Sequence, residues 1–499
     1  MNHGLILPIL LPLFTGSALL LMRGASLPVQ RGLSLLAGWA LLPLALWLAF
    51  LAGDGELRLY VLGDWQPPFG IVLLLDRLSA VMLIITALLA GFSVLYALRG
   101  DDERGADFHA LFQFQLVGIN GAFLTGDLFN LFVFFEILLI SSYALLLHGQ
   151  GPDRVRAGLH YVVLNLVGSS LFLLGVSVLY GLTGTLNMAD LAIRIAAAPT
   201  EDAPLLRAAG FLLLVVFGLK AAIIPLHTWL PSAYSAASAP VAALFAIMTK
   251  VGLYAILRVF TLIFGSAGPL DGMIDDWLWP LALATLAIGA LGALATRDLR
   301  MLLAHLVIVS VGTLLAGFAL GSATALSASL YYLIHSSLVS GGLFLLADLI
   351  VRQRGDTQAT LRSAPALRQP LLLGAIFFAA AVSVSGLPPL SGFIGKVMLM
   401  RSAVDGPDIA WLWAVLLTGG LAMLIALSRA GSLVFWRANE DEPVRERADP
   451  IRLLACLGLL SASLLMVVYA GPLQGYLQAT ADQLLDLGPY LRLIPGGGA

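Results

Sequence analysis

Cysteine, lysine and charge of either sign are scarce in this 499-residue chain, and each scarcity excludes something. A single cysteine, Cys456, rules out an internal disulfide and any cysteine-based cluster or zinc site. Charged residues make up only 11% of the chain and the mean hydropathy is +0.95. A soluble protein of this size could not stay dispersed with that surface, so the chain reads as an all-α polytopic membrane protein. The net charge of −2 makes no case for nucleic-acid binding. No nucleotide loop, haem ligation pattern or metal-ligating cluster is present, so no cofactor, no metal and no covalent chemistry are expected. Lysine occurs three times, at Lys220, Lys250 and Lys396, each time deep in an apolar run. All other cations are arginine, mostly at helix ends. Arginine stays charged, whereas a buried lysine can lose its proton near neutral pH. Replacement of lysine by arginine in a GC-rich genome would explain the missing lysines but not where the survivors sit.

A spanning helix needs about 20 apolar residues. Such runs fall near 4–22, 32–52, 71–98, 108–125, 128–148, 158–183, 205–226, 239–264, 277–295, 301–320, 325–350, 371–401, 408–436 and 452–471, about 14 transmembrane helices. The first has no basic lead-in and no clear cleavage site, and reads as a retained helix rather than a signal peptide. Loops after odd-numbered spans hold Arg23, Arg31, Arg99, Arg104, Arg154, Arg156, Arg297, Arg300, Arg352, Arg354, Arg362, Arg368, Arg437, Arg445, Arg447 and Arg452. Loops after even-numbered spans hold only Arg58, Arg194, Arg207 and Arg401. The excess of basic residues places the odd loops in the cytoplasm and both termini outside. The longest polar inserts, Ala189 to Leu206 and Asn439 to Pro450, are too short to fold alone. The tail after Pro472 alternates apolar and polar residues (Leu473, Tyr476, Leu477, Leu484, Leu485), as expected of an interfacial helix or a subunit contact.

Two spans are interrupted. One reads Gly218-Leu-Lys220-Ala-Ala-Ile-Ile-Pro225-Leu-His227-Thr-Trp-Leu-Pro231, the other Ser385-Gly-Leu-Pro388-Pro-Leu-Ser391-Gly-Phe-Ile-Gly-Lys396. Proline opens a helix, and opened backbone inside a bilayer is tolerated only where protein or water satisfies it. Paired broken helices, each carrying a lysine, point to a transport site at the midplane. Aligning the prolines sets neither Lys220 nor Glu136 opposite a matching residue, so symmetry in the sequence is weak.

Glu136 is the only glutamate inside a span, and an unpaired carboxylate there is costly. Lys220 is its natural partner, either as a static ion pair joining two helices or as a pair that loosens when a proton arrives. Lys250 follows a stripe of Ala239, Ala243 and Ala246 that would let another helix approach. His335 stands beside a stripe of Ser329, Tyr332, Ser336 and Ser340, the setting of a hydrated proton relay. His227 lies in the first break, where it could gate water. His305 follows Arg297-Asp298-Leu299-Arg300 and reads as structural, near the cytoplasmic surface. Asp76-Arg77 reads as a local ion pair, and His3, His109 and His148 as surface residues.

The stretch from Pro225 through Pro231, Pro240 and Thr249-Lys250-Val-Gly252-Leu-Tyr254 resembles the signature of the antiporter-like proton channels of respiratory complex I and of the Mrp antiporters. So do Gly386-Leu-Pro-Pro-Leu-Ser-Gly392-Phe-Ile-Gly-Lys396 and Asp298-Leu-Arg-Met-Leu-Leu-Ala-His305-Leu. The resemblance covers spans three to thirteen. It implies two inverted five-helix repeats: 108–264 (spans 4–8) and 277–436 (spans 9–13), with 1–107 ahead of them and 437–499 as last span and tail. It also implies a relay of Glu136, Lys220, Lys250, His335 and Lys396; His227 in the first break and Ser336 and Ser340 in the hydroxyl stripe are secondary candidates read from the residues themselves. Length and motif wording are most similar to the D-type subunits of multisubunit sodium/proton antiporters (Mrp, also Mnh or Pha). That implies partner subunits of the A, B/C, E, F and G types, protons and Na+ or K+ as cargo, and the bacterial cytoplasmic membrane as location. Two positions depart from the family wording: Ser232, where many relatives carry an acid, and Ser340, where many carry a lysine. Three functions compete: an antiporter subunit, a proton-pumping subunit of a redox complex such as complex I or a membrane-bound hydrogenase, and a non-conducting scaffold. The last is disfavoured because buried titratable groups are costly to keep.

Overall fold

The computed structural model describes residues 3–66, 69–265, 268–404, 406, 409–439 and 446–493. Arg445 and half of the insert at 439–450 lie outside the described residues. Twenty helices account for nearly all of it: α1 Leu7–Leu21, α2 Leu27–Ala52, α3 Arg77–Ala97, α4 Phe108–Leu124, α5 Leu128–Leu147, α6 Pro152–Thr183, α7 Met188–Ala196, α8 Ala203–Ala221, α9 Trp229–Ala236, α10 Ala239–Phe245, α11 Met248–Leu262, α12 Asp275–Ala295, α13 Leu299–Ala319, α14 Ala323–Arg352, α15 Pro370–Ser385, α16 Ser391–Ser402, α17 Ile409–Gly431, α18 Pro450–Val468, α19 Ala470–Leu485 and α20 Gly488–Leu491. Among the described residues, 12 helices are long and apolar enough to cross a membrane. The chain is a multi-pass integral membrane protein. The fourth and twelfth predicted spans fall on shorter apolar helices, Phe108–Leu124 and Pro370–Ser385, so that measure does not reach fourteen.

The layering follows from which helices carry polar side chains. The apolar stretch of Ala239–Leu262 is 100% buried and that of Ala323–Arg352 89%, whereas that of Ile409–Trp436 is 28% buried. The outer helices expose large apolar groups such as Leu166, Leu173, Trp411 and Leu421. Lys250 therefore sits in the innermost row, and the helices of Lys220 and Lys396, α8 and α16, pack directly against that row on α11 and α14.

Both expected breaks are present. α8 ends at Ala221, with Ala222 left-handed (φ 60°, ψ 47°), and a short turn at Leu226–Thr228 leads into α9. α15 ends at Ser385, with Gly386 left-handed (φ 81°, ψ 41°), before α16. The eighth span is also interrupted: α10 ends at Phe245 and α11 begins at Met248. No proline or glycine marks that point, so the sequence reads there as one continuous helix.

Two short strand pairs depart from the helical expectation. Arg58–Val61 (β1) pairs antiparallel with Val72–Leu75 (β2), and α3 starts only at Arg77. A short buried apolar run carries no period that separates strand from helix, which is why Val72–Leu75 reads as the start of a span. Ala364–Pro365 (β3) and Ala438–Asn439 (β4) form a two-residue parallel pair. The tail is not a free apolar face. α19 lays Leu477, Ala481 and Leu484 against the bundle, and Tyr490 on α20 is buried.

Candidate functional site

In the first half, α5 presents Glu136 and α8 presents Lys220, and α6 supplies a polar partner to each. Lys220 Nζ donates to Asn165 Oδ1 at 3.0 Å. The Ser169 hydroxyl donates to Glu136 Oε1. Asn165 and Ser169 are one turn apart and so share a face of α6. The expected direct contact is absent from the ion pairs among the described residues, although Glu136 stays within electrostatic range of Lys220. A polar face of α6 stands in place of the expected salt bridge. A small cavity follows, lined by Tyr161, Asn165, Lys220, Trp229, Met248 and Val251. It has about 10 Å³ open to a water centre, room for one molecule. Lys220 lines this cavity, whereas Lys250 on the neighbouring α11 does not.

The break satisfies its own open carbonyls. Ile223 N bonds Gly218 O at 2.9 Å, and Trp229 Nε1 donates to Leu219 O at 2.9 Å. α11 crosses α8 closely at this point: a Cβ on Gly252 would lie 2.5 Å from Ala221 N. Only glycine permits that approach, and it brings the Lys250 helix onto the last turn of α8.

Lys250 is fully buried and donates to Ser310 Oγ on α13 at 3.0 Å and to Thr249 Oγ1 at 3.3 Å. α14 packs on α10, with Gly341 approaching Ala243 O. His227 is within electrostatic range of His305, and its buried Nδ1 has no protein partner. His305 Nδ1 meets Met301 O at 2.8 Å, and its ring lies on Gly292.

In the second half, His335 Nδ1 meets Ser391 Oγ at 2.8 Å, and the ring is tilted over Tyr332 at 5.5 Å. A Cβ on Gly392 would fall 1.9 Å from Ser383 O and 2.8 Å from His335 Nε2. Lys396 Nζ donates to Ser385 O at 3.0 Å and Val384 O at 3.5 Å, the carbonyls freed by the break. The hydroxyl stripe on α14 does not join His335. Ser336 bonds back to Leu333 O at 3.3 Å, Ser329 Oγ has no partner, and Ser340 is buried without a hydrogen bond to the ring. The imidazole instead turns to α16.

Several groups escape a reading of the sequence alone. Asp76 does not pair with Arg77. It pairs with Arg258 at 2.6 Å and accepts from Tyr490, both ions being almost fully buried. Arg77 bonds carbonyls of Gly53 and Ala479. The signal is Arg258 itself, an arginine inside an apolar span. His109 and His148 are buried, not at the surface. His109 Nε2 meets Asp102 at 3.0 Å, and His148 Nε2 meets Asp101 O at 3.1 Å. Burial would raise the Asp102 carboxyl, but hydrogen bonds from Arg31 and His109 outweigh it and hold the group below the usual carboxylate range. Nearby, buried Asp101 gathers Arg104, Arg352 and Arg452, and Asp348 takes Arg300 and Arg352. Much of the odd-loop arginine is thus spent on locking helix ends together.

Residues 125–424 match the family described as NADH:quinone oxidoreductase/Mrp antiporter, TM. The chain belongs to this family. It is 42% identical to the D-type subunit of a probable K(+)/H(+) antiporter of Rhizobium meliloti, over 97% of this chain and 96% of that one. It is 36% identical to the D-type subunit of a Na(+)/H(+) antiporter of Bacillus subtilis, over 99% of each. Among solved structures, a chain of the Mrp complex from Dietzia sp. DQ12-45-1b superposes with a TM-score of 0.88 at 27% identity, covering 99% of both. The family match begins at Thr125 and ends at Leu424, so it contains both breaks and all of Glu136, Lys220, Lys250, His335 and Lys396.

Proposed function

We propose that this chain is the proton-conducting subunit of a multisubunit Na+ or K+/proton antiporter, with Glu136, Lys220, Lys250, His335 and Lys396 as its relay. One observation carries this reading. Three buried lysines bond only neutral groups: an amide at Lys220, two hydroxyls at Lys250 and two backbone carbonyls at Lys396. A hydroxyl can accept from an ammonium or donate to an amine. Lys250 can therefore gain or lose a proton without breaking a salt bridge. A scaffold lysine would be expected to hold a carboxylate.

Glu136 and Lys220, held by Ser169 and Asn165 on α6, act as the switch; Lys250 and His335 carry the proton across the centre; Lys396 closes the path. The chain is a secondary transporter subunit rather than a catalyst. It sits in a bacterial cytoplasmic membrane with odd loops inside and both termini outside, as the arginine distribution indicates. Residues 108–264 and 277–436 form two inverted repeats. Local duplication supports this: Thr125-Gly-Asp127-Leu128 and Thr296-Arg-Asp298-Leu299 each start a helix in the same way. Asp127 caps Asn130 N and Asp298 caps Met301 N. Leu128 N bonds Leu186 O, and Leu299 N bonds Ala359 O.

The test is transport in everted vesicles carrying the whole complex. Lys220→Ala and Glu136→Ala should each abolish cation-dependent proton movement while the complex still assembles, and wild-type transport in either would remove the switch. The family also serves redox enzymes, and the same relay would work there. Mass spectrometry of the purified particle separates the two: small membrane-only partners support the antiporter, flavin or iron–sulfur subunits the redox pump.

A further inference from the structure

A cavity of about 890 Å³ opens among the arginine-rich odd loops, between the first turns of α6 and α13 and the end of α9. None of the five relay residues lines it. Four arginines do: Arg104 ahead of α4, Arg154 and Arg156 on α6, and Arg300 on α13. They face two carboxylates, Asp153 and Asp298, and Asp298 is already spent on capping Met301 N at 2.9 Å. Gathering like charges in one cavity is costly, and Arg154 stands within electrostatic range of both Arg104 and Arg300.

The surrounding acids do not cancel this charge. Arg104 meets Asp101 at 3.2 Å and Arg300 meets Asp348 at 2.9 Å, but the same two acids also hold Arg352 and Arg452. Arg154 bonds the carbonyls of His148 and Ala236. Arg156 is exposed and bonds nothing among the described residues. Guanidinium N–H groups left open in this way suit phosphate oxygens. α6 also begins at the cavity wall, at Gly151, with no side chain capping its first amides, which adds positive potential. Beyond that first turn the outer side of α6 becomes apolar. Val155, Leu159, Val163 and Leu166 are each more than half exposed and share one helical face.

We propose that this cavity binds the phosphate headgroup of an anionic phospholipid, whose acyl chains lie on the apolar face of α6. A basic pocket between membrane helices, continuous with an apolar stripe, matches both ends of such a molecule. The bound anion ties the first half to the second, Arg154 and Arg156 on α6 to Arg300 on α13. It does so at the start of the helix that carries Asn165 and Ser169.

Binding is read directly, in the whole complex reconstituted in vesicles. Phosphatidylglycerol with a photoactivatable acyl chain is added, and labelled peptides are identified by mass spectrometry. The wild-type chain should be labelled between Val155 and Leu166, and phosphatidylcholine with the same acyl chain should label it several-fold less. Arg156→Gln should cut labelling about fivefold, the scale of one basic residue at an anionic headgroup. Ser232→Asp, which sets a carboxylate in the cavity wall, should cut it similarly, whereas Arg207→Gln, on α8 and outside the cavity, should not. Equal labelling by the two lipids, or unchanged labelling in either cavity variant, overturns the site. Inorganic phosphate is the other source of the same chemistry. If it displaces the label where chloride at equal ionic strength does not, the cavity takes a soluble anion and the lipid assignment fails. Labelling needs no transport, so the site stands or falls whatever Lys220→Ala does to the relay.

Discussion

At Ala222 and at Gly386 the chain makes the same turn twice. Each residue is left-handed and ends a membrane helix, and in each case the next amide reaches back to close the turn, Ile223 N to Gly218 O at 2.9 Å and Leu387 N to Val382 O at 3.1 Å. Five residues beyond each turn stands a polar side chain, His227 or Ser391, and ten beyond stands Ser232 or Lys396. The lysines, however, differ in place and in duty. Lys220 precedes its break and reaches sideways to α6, while the Leu219 carbonyl is taken by Trp229 and by Ala222 N. Lys396 follows its break and itself takes the open carbonyls of Ser385 and Val384. The broken backbone is thus a common scaffold. The first half frees its lysine from that scaffold, whereas the second half makes its lysine part of it.

The sharpest way to test this difference is Lys396→Arg. A guanidinium can still donate to the Ser385 and Val384 carbonyls but does not give up its proton. The complex should assemble with near-normal thermal stability, and flux should fall by about a hundredfold or more, the scale of a lost acid–base group. Near-normal flux would reduce Lys396 to a cap on the helix end. Asn165→Ala should have a smaller effect. It leaves Glu136 and Lys220 in place but deletes the hydrogen bond that α6 offers Lys220, and flux should fall about tenfold, the scale of one unmade buried hydrogen bond. Unchanged flux would show that the carboxylate and the ammonium communicate without α6.

How much of this is legible in the sequence depends on whether the signal is local. Both breaks are readable because proline and glycine act on their own neighbours. The three lysines stand out because charge in an apolar run is rare. The interruption at Ala246-Ile247 is not readable, since tertiary packing imposes it on residues that favour helix. Nor are Asn165 and Ser169, which read as ordinary polar residues of α6 until α5 and α8 come beside them. The stripe of Ser336 and Ser340 shows the converse error. Helical spacing puts hydroxyls near His335 on its own helix, yet the imidazole bonds Ser391, 56 residues on. Periodicity reports which face a residue occupies, not what the facing helix offers. Asp76 misleads for the same reason, because its partner Arg258 comes from a distant helix.

The smallest effect separates the two turns themselves. Ala222 holds a left-handed conformation that costs a non-glycine residue about 1–2 kcal/mol. Ala222→Gly removes that cost but also a buried methyl, worth about 0.8 kcal/mol, and it loosens the unfolded chain. Thermal stability should therefore move by less than about 1 kcal/mol and flux should stay normal. The reciprocal change is not neutral. Gly386→Ala adds the same backbone cost, and the new Cβ would lie 2.7 Å from Lys396 Cδ and 3.1 Å from its Nζ. Lys396 must then leave the carbonyls it caps, so stability should fall by about 1–2 kcal/mol and flux with it. If both substitutions proved silent, Lys396 would not depend on the turn beneath it, and the lysine of the second half would be as free of its scaffold as that of the first.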